Sequence, residues 1–248
     1  MSESIGREFM RKTQYTYMGE SAQTRGAPQP PLELPYDVTQ RLIDLPAPDA
    51  LHVPPVNLRV LIEERITVRQ YASQPLTLEE LSYLLWCTQG VKATDEQHVT
   101  KRTVPSAGSR HAFETLLLIN RVDGLEPGLY RYVASLHKLV RLPAAPDVGE
   151  QIMEACNKQP QIKRSAVTFI WVAVAERMTW RYNERGYRYM LLDAGHVCQN
   201  LYLAAWAIGC GTCAIAAYHD DDLNGVLGLD GESLFVIYLG TVGKRPRS

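Results

Sequence analysis

The stretch VPSAGSRHAFETLLLIN, residues 104–120, joins two very different kinds of sequence. Its second half, around residues 115–121, is a short apolar run with β propensity, which predicts a buried strand. Its first half puts the small residues of Pro105 to Ser109 just before Arg110 and His111. Small residues and hydroxyls leave the backbone accessible and rich in hydrogen-bond donors, which raises the question of what this loop contacts.

Working outward toward the C-terminus, helical and strand patterns interleave irregularly and without repeats. The predicted elements are a hairpin in GLYRYVASLHKLVRL, a helix at 147–156, a strand at 167–175, a helix at 187–208, a short helix near 220–228 and a strand in SLFVIYLGTVG. The helix at 187–208 is apolar on nearly every face, which predicts a central buried helix or one in a subunit interface. The arrangement favours an α+β domain.

Toward the N-terminus, regular structure is expected to begin near Val56, in a helix that runs into ERITVRQY. A second helix should begin at Thr77, which forms a T-x-x-E capping box with Glu80, and end near Gly90. Residues 1–55 are rich in Pro, Gln and Thr. We interpret them as an extended arm laid over a domain at 56–248, with a disordered tail as the alternative.

Composition limits the function classes. The 26 basic and 27 acidic residues give a net charge of −1, so no general field favours nucleic acid or an anionic membrane as partner. No apolar stretch approaches the roughly 20 residues of a membrane helix, and the N-terminus lacks the apolar core of a signal peptide. Five cysteines without a framework spacing indicate reduced thiols, and we expect a cytoplasmic protein.

The chain lacks the common catalytic and nucleotide-binding signatures: it has no P-loop, no G-x-G-x-x-G after a strand, no G-x-S-x-G and no H-E-x-x-H. Cys210 and Cys213 have C-x-x-C spacing, but the other cysteines offer no second pair for zinc, so we expect no metal and favour a structural role. For His196, an interior or interface position is favoured over catalysis.

Two basic clusters could hold a phosphate. Arg65, Thr67 and Arg69 face one way if ERITVRQY is extended, and two guanidiniums with a hydroxyl can bind phosphate bidentately. The second cluster lies at the C-terminus and contains Lys244, Arg245 and Arg247. Taken alone, a cluster of this kind is more often a solvated face than a ligand site.

The order of these pieces resembles the nitroreductase family of FMN-dependent oxidoreductases, over roughly residues 56–247. The shared series is Arg65-x-Thr67-x-Arg69, PSAGSR, Asp193-Ala-Gly-His196 followed by Gln-Asn-Leu, GCGTC, and a glycine-containing strand with terminal basic residues. The N-terminal arm, LSYLLWCTQGV, GLEPGLYRY and RGYRY are similar to the SagB-type dehydrogenase branch. The resemblance implies a central, mostly antiparallel sheet flanked by helices, and an intertwined homodimer.

The resemblance also implies a cofactor site. The residues expected around FMN are Arg65, Thr67, Arg69, Pro105, Ser106, Ala107, Ser109, Gly209, Gly211, Thr212, Lys244 and Arg245, with Arg247 a weaker candidate. The basic residues would hold the phosphate and the PSAG loop would lie along the flavin. A turn at 209–212 would direct amides toward the negative charge of the reduced ring.

Some SagB-type members oxidise azolines in modified peptides with a Lys-Tyr pair as acid and base. Here the comparable place reads Arg181-Tyr182, so the resemblance makes these two the candidate catalytic residues, and Tyr182 could still act. Arginine is a poor base because its pKa exceeds about 12. We therefore expect hydride transfer between flavin and a small-molecule or peptide substrate, with weak or no azoline oxidation. The alternatives are a general nitro or quinone reductase using NAD(P)H, and a non-catalytic scaffold of a peptide-modifying complex.

Overall fold

The computed structural model describes residues 4–37, 39–95 and 99–246. Within these residues the framework is a seven-stranded sheet of order β1-β6-β5-β4-β7-β9-β8, with a separate β2-β3 hairpin. The strands are β1 Leu42–Asp44, β2 Val91–Thr94, β3 Thr100–Arg102, β4 Phe113–Ile119, β5 Gly128–Val133, β6 Lys138–Arg141, β7 Val167–Val174, β8 Cys210–Ile215 and β9 Leu234–Lys244. Every described strand pair is antiparallel, which confirms the predicted sheet.

The centre of the sheet is formed by β4 and β7, and every residue of both strands is buried. Their registers place Thr115 opposite Trp171 and Leu117 opposite Phe169. Strands covered on both faces read as continuous apolar runs rather than as an alternating pattern, and this is why residues 115–121 predicted a buried strand. The strand begins and ends two residues earlier than that prediction.

Helices cover both faces of the sheet. They are α1 Ile5–Lys12, α2 Leu58–Glu64, α3 Leu78–Gln89, α4 Val148–Ala155, α5 Gln161–Arg164, α6 Ala175–Tyr182, α7 Arg185–Ala207 and α8 Asp220–Val226. The helices α3 and α7 pack on one face in one apolar core, and α4 and α8 pack on the other. The predicted capping box at the start of α3 is confirmed, with Thr77 and Glu80 bonded reciprocally. The helix α6 was not predicted.

The long helix α7 is buried on only one side of this chain. Met190, Val197 and Leu201 are fully covered, whereas Leu191 and Leu192 are 57% and 61% exposed. The apolar residues that the sequence shows on nearly every face of this helix therefore lie in two different environments. One side of the helix enters the core, and the other presents leucine side chains at the surface.

The N-terminal segment is more regular than the extended arm we expected. It contains the helix α1, and its strand β1 pairs with β6 at the edge of the sheet. Between them the chain crosses α6, where the backbone amide of Gln23 donates to the Trp180 carbonyl oxygen at 2.9 Å and the Trp180 indole donates to the Ala27 carbonyl oxygen at 2.9 Å.

A buried ion pair fastens the same segment. The Arg177 guanidinium lies 2.6 Å from a Glu114 carboxylate oxygen, with side chains 1% and 3% exposed. Arg177 Nε also donates to the Pro31 carbonyl oxygen at 2.7 Å, and the Leu34 amide donates to Glu114 at 2.8 Å. Arg177 and Glu114 thus each form a hydrogen bond with the arm. These two bonds hold the arm against α6 and β4.

None of the helices in the described part of the chain has both the length and the apolar composition that a membrane span requires.

Candidate active site

The PSAG loop folds into a tight turn between β3 and β4. Gly108, Ser109 and His111 have φ values of +56°, +53° and +44°, in the left-handed region. The Ser106 hydroxyl accepts a hydrogen bond from the His111 amide at 2.9 Å, which closes the turn. The Ala107 amide donates to both carboxylate oxygens of Asp193 on α7, at 3.3 Å each. The long helix therefore positions the loop.

Two titratable groups at the loop, Asp193 and His111, have pKa values shifted from their ordinary ones. Burial raises the pKa of Asp193, against the hydrogen bonds from Ser106 and Ala107 that lower it. Burial, together with the charge of Arg102, lowers the pKa of His111 to about 3. His111 is therefore neutral at physiological pH, and the loop is built around a desolvated carboxyl group and an uncharged imidazole.

The dipeptide Arg181-Tyr182 lies directly against this loop, at the end of α6. The Tyr182 hydroxyl and the Arg181 side chain occupy the space into which a Cβ on Gly108 would project. The Arg181 guanidinium carbon lies 5.6 Å from the centre of the Tyr182 ring. The structure thus brings Arg181 and Tyr182, the candidate catalytic residues, against the PSAG loop that we expect to lie along the flavin. The dipeptide and the loop are about 70 residues apart in sequence.

A second cationic side chain approaches from the loop itself. The Arg110 guanidinium lies 5.0 Å from the centre of the Trp180 ring, and its Nε is buried without a hydrogen-bond partner among the described residues. A buried guanidinium N–H without an acceptor is costly. This N–H is therefore a hydrogen-bond donor beside α6 that the described residues leave unused.

The first predicted phosphate cluster lies beside β8. The segment after α2 runs parallel to that strand, with the Val68 amide donating to the Thr212 carbonyl oxygen at 2.9 Å. Arg65 stacks over the Tyr202 ring at 5.3 Å, and the Thr67 hydroxyl lies 3.2 Å from the Tyr202 hydroxyl. Tyr202 of α7 therefore contacts two residues of the predicted cluster, and the sequence did not indicate it as a site residue.

Two groups in this cluster have unused hydrogen-bonding capacity. Arg69 is exposed and forms no hydrogen bond or ion pair within residues 4–37, 39–95 and 99–246. The Thr212 hydroxyl is 1% exposed and has no partner in the same part of the chain. A free guanidinium and an unpaired buried hydroxyl are donors that suit an anionic ligand.

The C-terminal cluster is partly engaged within the protein. The Lys244 ammonium pairs with Glu80, the residue that closes the α3 capping box. Arg245 stacks on the Trp206 ring at 3.9 Å, and its amide donates to the Gly209 carbonyl oxygen at 3.2 Å. Gly209, Lys244 and Arg245 line one cleft of about 490 Å³. Arg247 lies outside the described residues.

The predicted turn at 209–212 is shorter than expected. Gly209 has a φ of +73° and makes the turn, but Cys210 already begins β8. Gly211 lies within the strand, where Val68 packs over it so closely that a Cβ would approach to 2.6 Å. The glycine at this position is thus explained by the close approach of the neighbouring segment. Residues 210–212 are the start of a strand and not part of a turn, while the approach of their amides to a flavin stays a prediction.

The remaining candidates from the sequence are the pair Cys210 and Cys213, and His196. Cys210 and Cys213 are buried free thiols on β8, in agreement with the structural role that we favoured. His196 is exposed on α7, so within this chain it is not an interior residue, and the interface position that the sequence also allowed stays a prediction.

The loop and the first phosphate cluster are held at two points of one rigid helix. Asp193 anchors the loop, and Tyr202 contacts Arg65 and Thr67 nine residues later. At about 1.5 Å per residue, the two anchors lie about 13.5 Å apart along the α7 axis. This arrangement suits an elongated ligand with a charged end and a planar end.

A cavity of about 880 Å³ lies elsewhere in the described part of the chain. It is lined by residues of β4, β5 and the start of α4, including Leu118, Leu129 and Val148. Leu118 and Val148 belong to the core on the sheet face opposite α7. We place the candidate site by its chemistry rather than by cavity size, since no predicted site residue lines this cavity.

The comparisons with known proteins agree with this geometry. The family model described as nitroreductase family matches residues 62–244, which include Arg65, the PSAG loop, α7 and β9. The chain belongs to the nitroreductase family. The α+β, nitroreductase-like fold predicted from the sequence is therefore confirmed.

Nitroreductase relatives extend over most of the chain. The protein MJ1384 of Methanocaldococcus jannaschii, whose name assigns it to the nitroreductases, is 36% identical over 75% of this chain and 91% of its own length. The trifolitoxin-processing protein TfxB of Rhizobium leguminosarum bv. trifolii is 30% identical over 58% of this chain and 39% of its own. A crystal structure from Anabaena variabilis, also described as a nitroreductase, has a TM-score of 0.67 and 25% identity, covering 87% of this chain and 45% of that longer one.

Proposed function

We propose that this nitroreductase-family protein is an FMN-dependent oxidoreductase that transfers hydride between flavin and a small-molecule or modified-peptide substrate. One observation carries the proposal: α7 holds the loop of small residues and the Arg65-Thr67 cluster at two points along a single axis. A flavin mononucleotide has the matching shape, with an anionic phosphate at one end and a planar ring at the other.

The donor set fits the phosphate. Arg65, Thr67 and Arg69 would hold it, and the unpaired Thr212 hydroxyl offers a further donor. Lys244 would contribute only by exchanging its partner Glu80 for the phosphate, and Arg245 by leaving Trp206. Charge-assisted bonds of this kind make up most of the affinity for a phosphate group.

The loop fits the ring end. Pro105, Ser106, Ala107 and Ser109 are half-buried or exposed, and their small side chains allow the backbone to approach a planar ligand. Gly209 and Gly211 would lie farther along the same ligand. When bound, the flavin accepts or donates hydride, and the protein supplies position, electrostatics and protons.

Tyr182 is the residue we assign to proton exchange with the substrate, because its hydroxyl lies at the loop. Arg181 keeps its charge at every physiological pH and so cannot act as a base. Its position over the Tyr182 ring suits a residue that orients the tyrosine and attracts an anionic substrate. This assignment favours reduction or simple dehydrogenation over the azoline oxidation of the SagB-type branch.

We also propose a homodimer. Within one chain, Leu58 and Ile62 of α2 are 61% and 54% exposed, and Leu191 and Leu192 of α7 are exposed to a similar degree. Large exposed apolar side chains on two helices that pack together indicate a protein interface. A second copy would cover this face, and a monomer mass by sedimentation at micromolar concentration would contradict the proposal.

The substrate class and the nicotinamide co-substrate are part of the proposal. One relative is named for trifolitoxin processing and another as a nitroreductase, and we propose a modified peptide by analogy with the first and a small nitro compound by analogy with the second. NADH or NADPH is the reductant that we propose for the small molecule. The five free thiols suit the cytoplasm.

The test begins with the purified chain, which we expect to be yellow with about one FMN per protomer. Anaerobic reduction of the bound flavin is then followed with NADH, NADPH and a thiazoline peptide in separate experiments. Reduction by a nicotinamide supports the reductase. Fast reduction by the peptide alone would restore azoline oxidation, and a colourless chain that takes up no FMN would support the scaffold alternative.

A further inference from the structure

Three residues form a hydrogen-bonded cluster between the N-terminal segment and α7. The hydroxyls of Tyr15 and Tyr189 are 2.8 Å apart, and Arg185 Nε donates to the Tyr189 hydroxyl at 2.8 Å. The Arg185 guanidinium also stacks on both rings, at 4.3 Å from the centre of Tyr15 and 5.3 Å from that of Tyr189. A further bond from Arg185 to the Thr13 carbonyl oxygen, at 2.9 Å, attaches the segment to the helix.

The cluster touches the candidate active site through one ring contact. The ring of Tyr182 packs edge-on against Tyr189, with centroids 4.8 Å apart. The Tyr182 hydroxyl in turn faces Gly108 of the PSAG loop. A continuous series of contacts therefore runs from Tyr15 through Tyr189 and Tyr182 to the loop.

The groups facing Tyr189 favour its ionised form. Tyr15 approaches from the arm and Tyr182 from α6, while Arg185 and Arg188 are cations on its own helix. Burial raises the pKa of Tyr189, but the Tyr15 hydrogen bond and the Arg185 charge outweigh it, so the pKa lies below the ordinary value. The bond to Tyr189 raises the pKa of Tyr15. The pair therefore loses its first proton at Tyr189.

We propose that Tyr189 is a positioning residue for Tyr182, and that Tyr15 supplies the hydroxyl that holds it, so that the N-terminal segment completes the reaction site. The inference rests on the proposed oxidoreductase function and adds a component to it. The edge-on contact fixes the Tyr182 ring against the loop. The two rings are in direct contact, so a negative charge on Tyr189 lies far inside the Debye length of the reaction site and changes its electrostatic environment.

The first experiment needs no cofactor. Ultraviolet difference titration of the apoprotein should show one phenol that ionises below pH 10. Tyr189→Phe should remove this early phenol, and Tyr15→Phe should move it to higher pH, since one stabilising hydrogen bond is lost. Tyr17→Phe is the matched control, because Tyr17 lies on the same exposed segment. An unchanged titration in Tyr189→Phe would overturn the cluster even if FMN binds normally.

The second experiment is a double-mutant cycle on turnover. Tyr15→Phe and Tyr189→Phe should each lower kcat by about 5- to 20-fold, and the double variant should be no slower than either, since both remove one shared interaction. KM and FMN affinity should change by less than about twofold, and the alkaline limb of the pH–rate profile should move in both variants. Additive effects, or an unmoved limb, would overturn the positioning role. If neither the wild type nor the variants bind FMN, the proposed function is overturned. The titration of the apoprotein would then still test whether Tyr15, Tyr189 and Arg185 form the cluster.

Discussion

Gly108 and Tyr182 are in direct contact: the tyrosine hydroxyl fills the space where a side chain at Gly108 would begin. The φ of +56° at Gly108 also disfavours any residue with a Cβ. Gly108→Ala should lower the free energy of unfolding by about 1–3 kcal/mol, from backbone strain and the clash together. Urea denaturation measures this.

Gly124→Ala is the matched control, because Gly124 has a φ of +80° and nothing within 4 Å of its Cβ position. It should carry the backbone strain alone. Equal losses in the two variants would show that Tyr182 does not press on the loop.

Arg65 and Arg69 are predicted to dominate FMN affinity. Replacing either with Ala should cost about 1.5–3 kcal/mol of cofactor binding, the value of a charge-assisted hydrogen bond. Arg59→Ala is the control, since Arg59 lies on α2 close to this cluster but pairs with Glu63. Fluorescence titration of the apoprotein with FMN measures the difference. An unchanged affinity in Arg65→Ala would remove Arg65 from the site.

Tyr182 and Arg181 should separate catalysis from cofactor binding. Tyr182→Phe keeps the ring contacts and removes the hydroxyl, so turnover should fall by about 10²-fold or more while FMN remains bound. Arg181→Lys keeps the charge and should leave FMN binding intact. Steady-state kinetics alongside the flavin spectrum distinguish the two effects. Loss of the flavin from Tyr182→Phe would assign the hydroxyl to cofactor binding instead.

His111 should make stability depend on pH. Its pKa is about 3 in the folded chain and 6.5 ordinarily, so between these values the unfolded state binds more protons. The free energy of unfolding should therefore rise with pH across this window and level off above it. His111→Asn, which tolerates the positive φ, should flatten the rise, whereas the exposed His52→Asn should not. A wild-type profile that is flat from pH 4 to 6.5 would contradict a buried neutral His111.

We expect the stability of the fold to depend on Arg177 and Glu114 as a pair. Arg177→Met leaves a buried carboxylate without its partner and should cost about 3–5 kcal/mol of folding free energy. The double variant Arg177→Met, Glu114→Leu should recover much of this loss. Limited proteolysis should also cleave the single variant earlier within residues 19–35, because Pro31 and Leu34 are bonded to this pair. A single variant as stable as the wild type would show that the pair does not fasten the arm.

Local sequence alone determined much of this protein. The apolar runs at β4, β7 and β9, the capping box at Thr77 and the long apolar helix could all be predicted, because hydrophobic periodicity and caps act between near neighbours in the chain. Even the order of motifs that carries the family resemblance is a property of the linear sequence.

Tertiary structure decided which of the candidate residues meet. The pairings of Tyr182 with Gly108, Asp193 with Ala107, Tyr202 with Thr67 and Tyr15 with Tyr189 join segments 74 to 174 residues apart, and no local pattern encodes them. It also gave Lys244 a carboxylate partner and determined that the N-terminal segment crosses α6. The physical reason is the same throughout: a side chain's partner is set by how the sheet and α7 bring distant segments together, and the charge and protonation of the site follow from those partners.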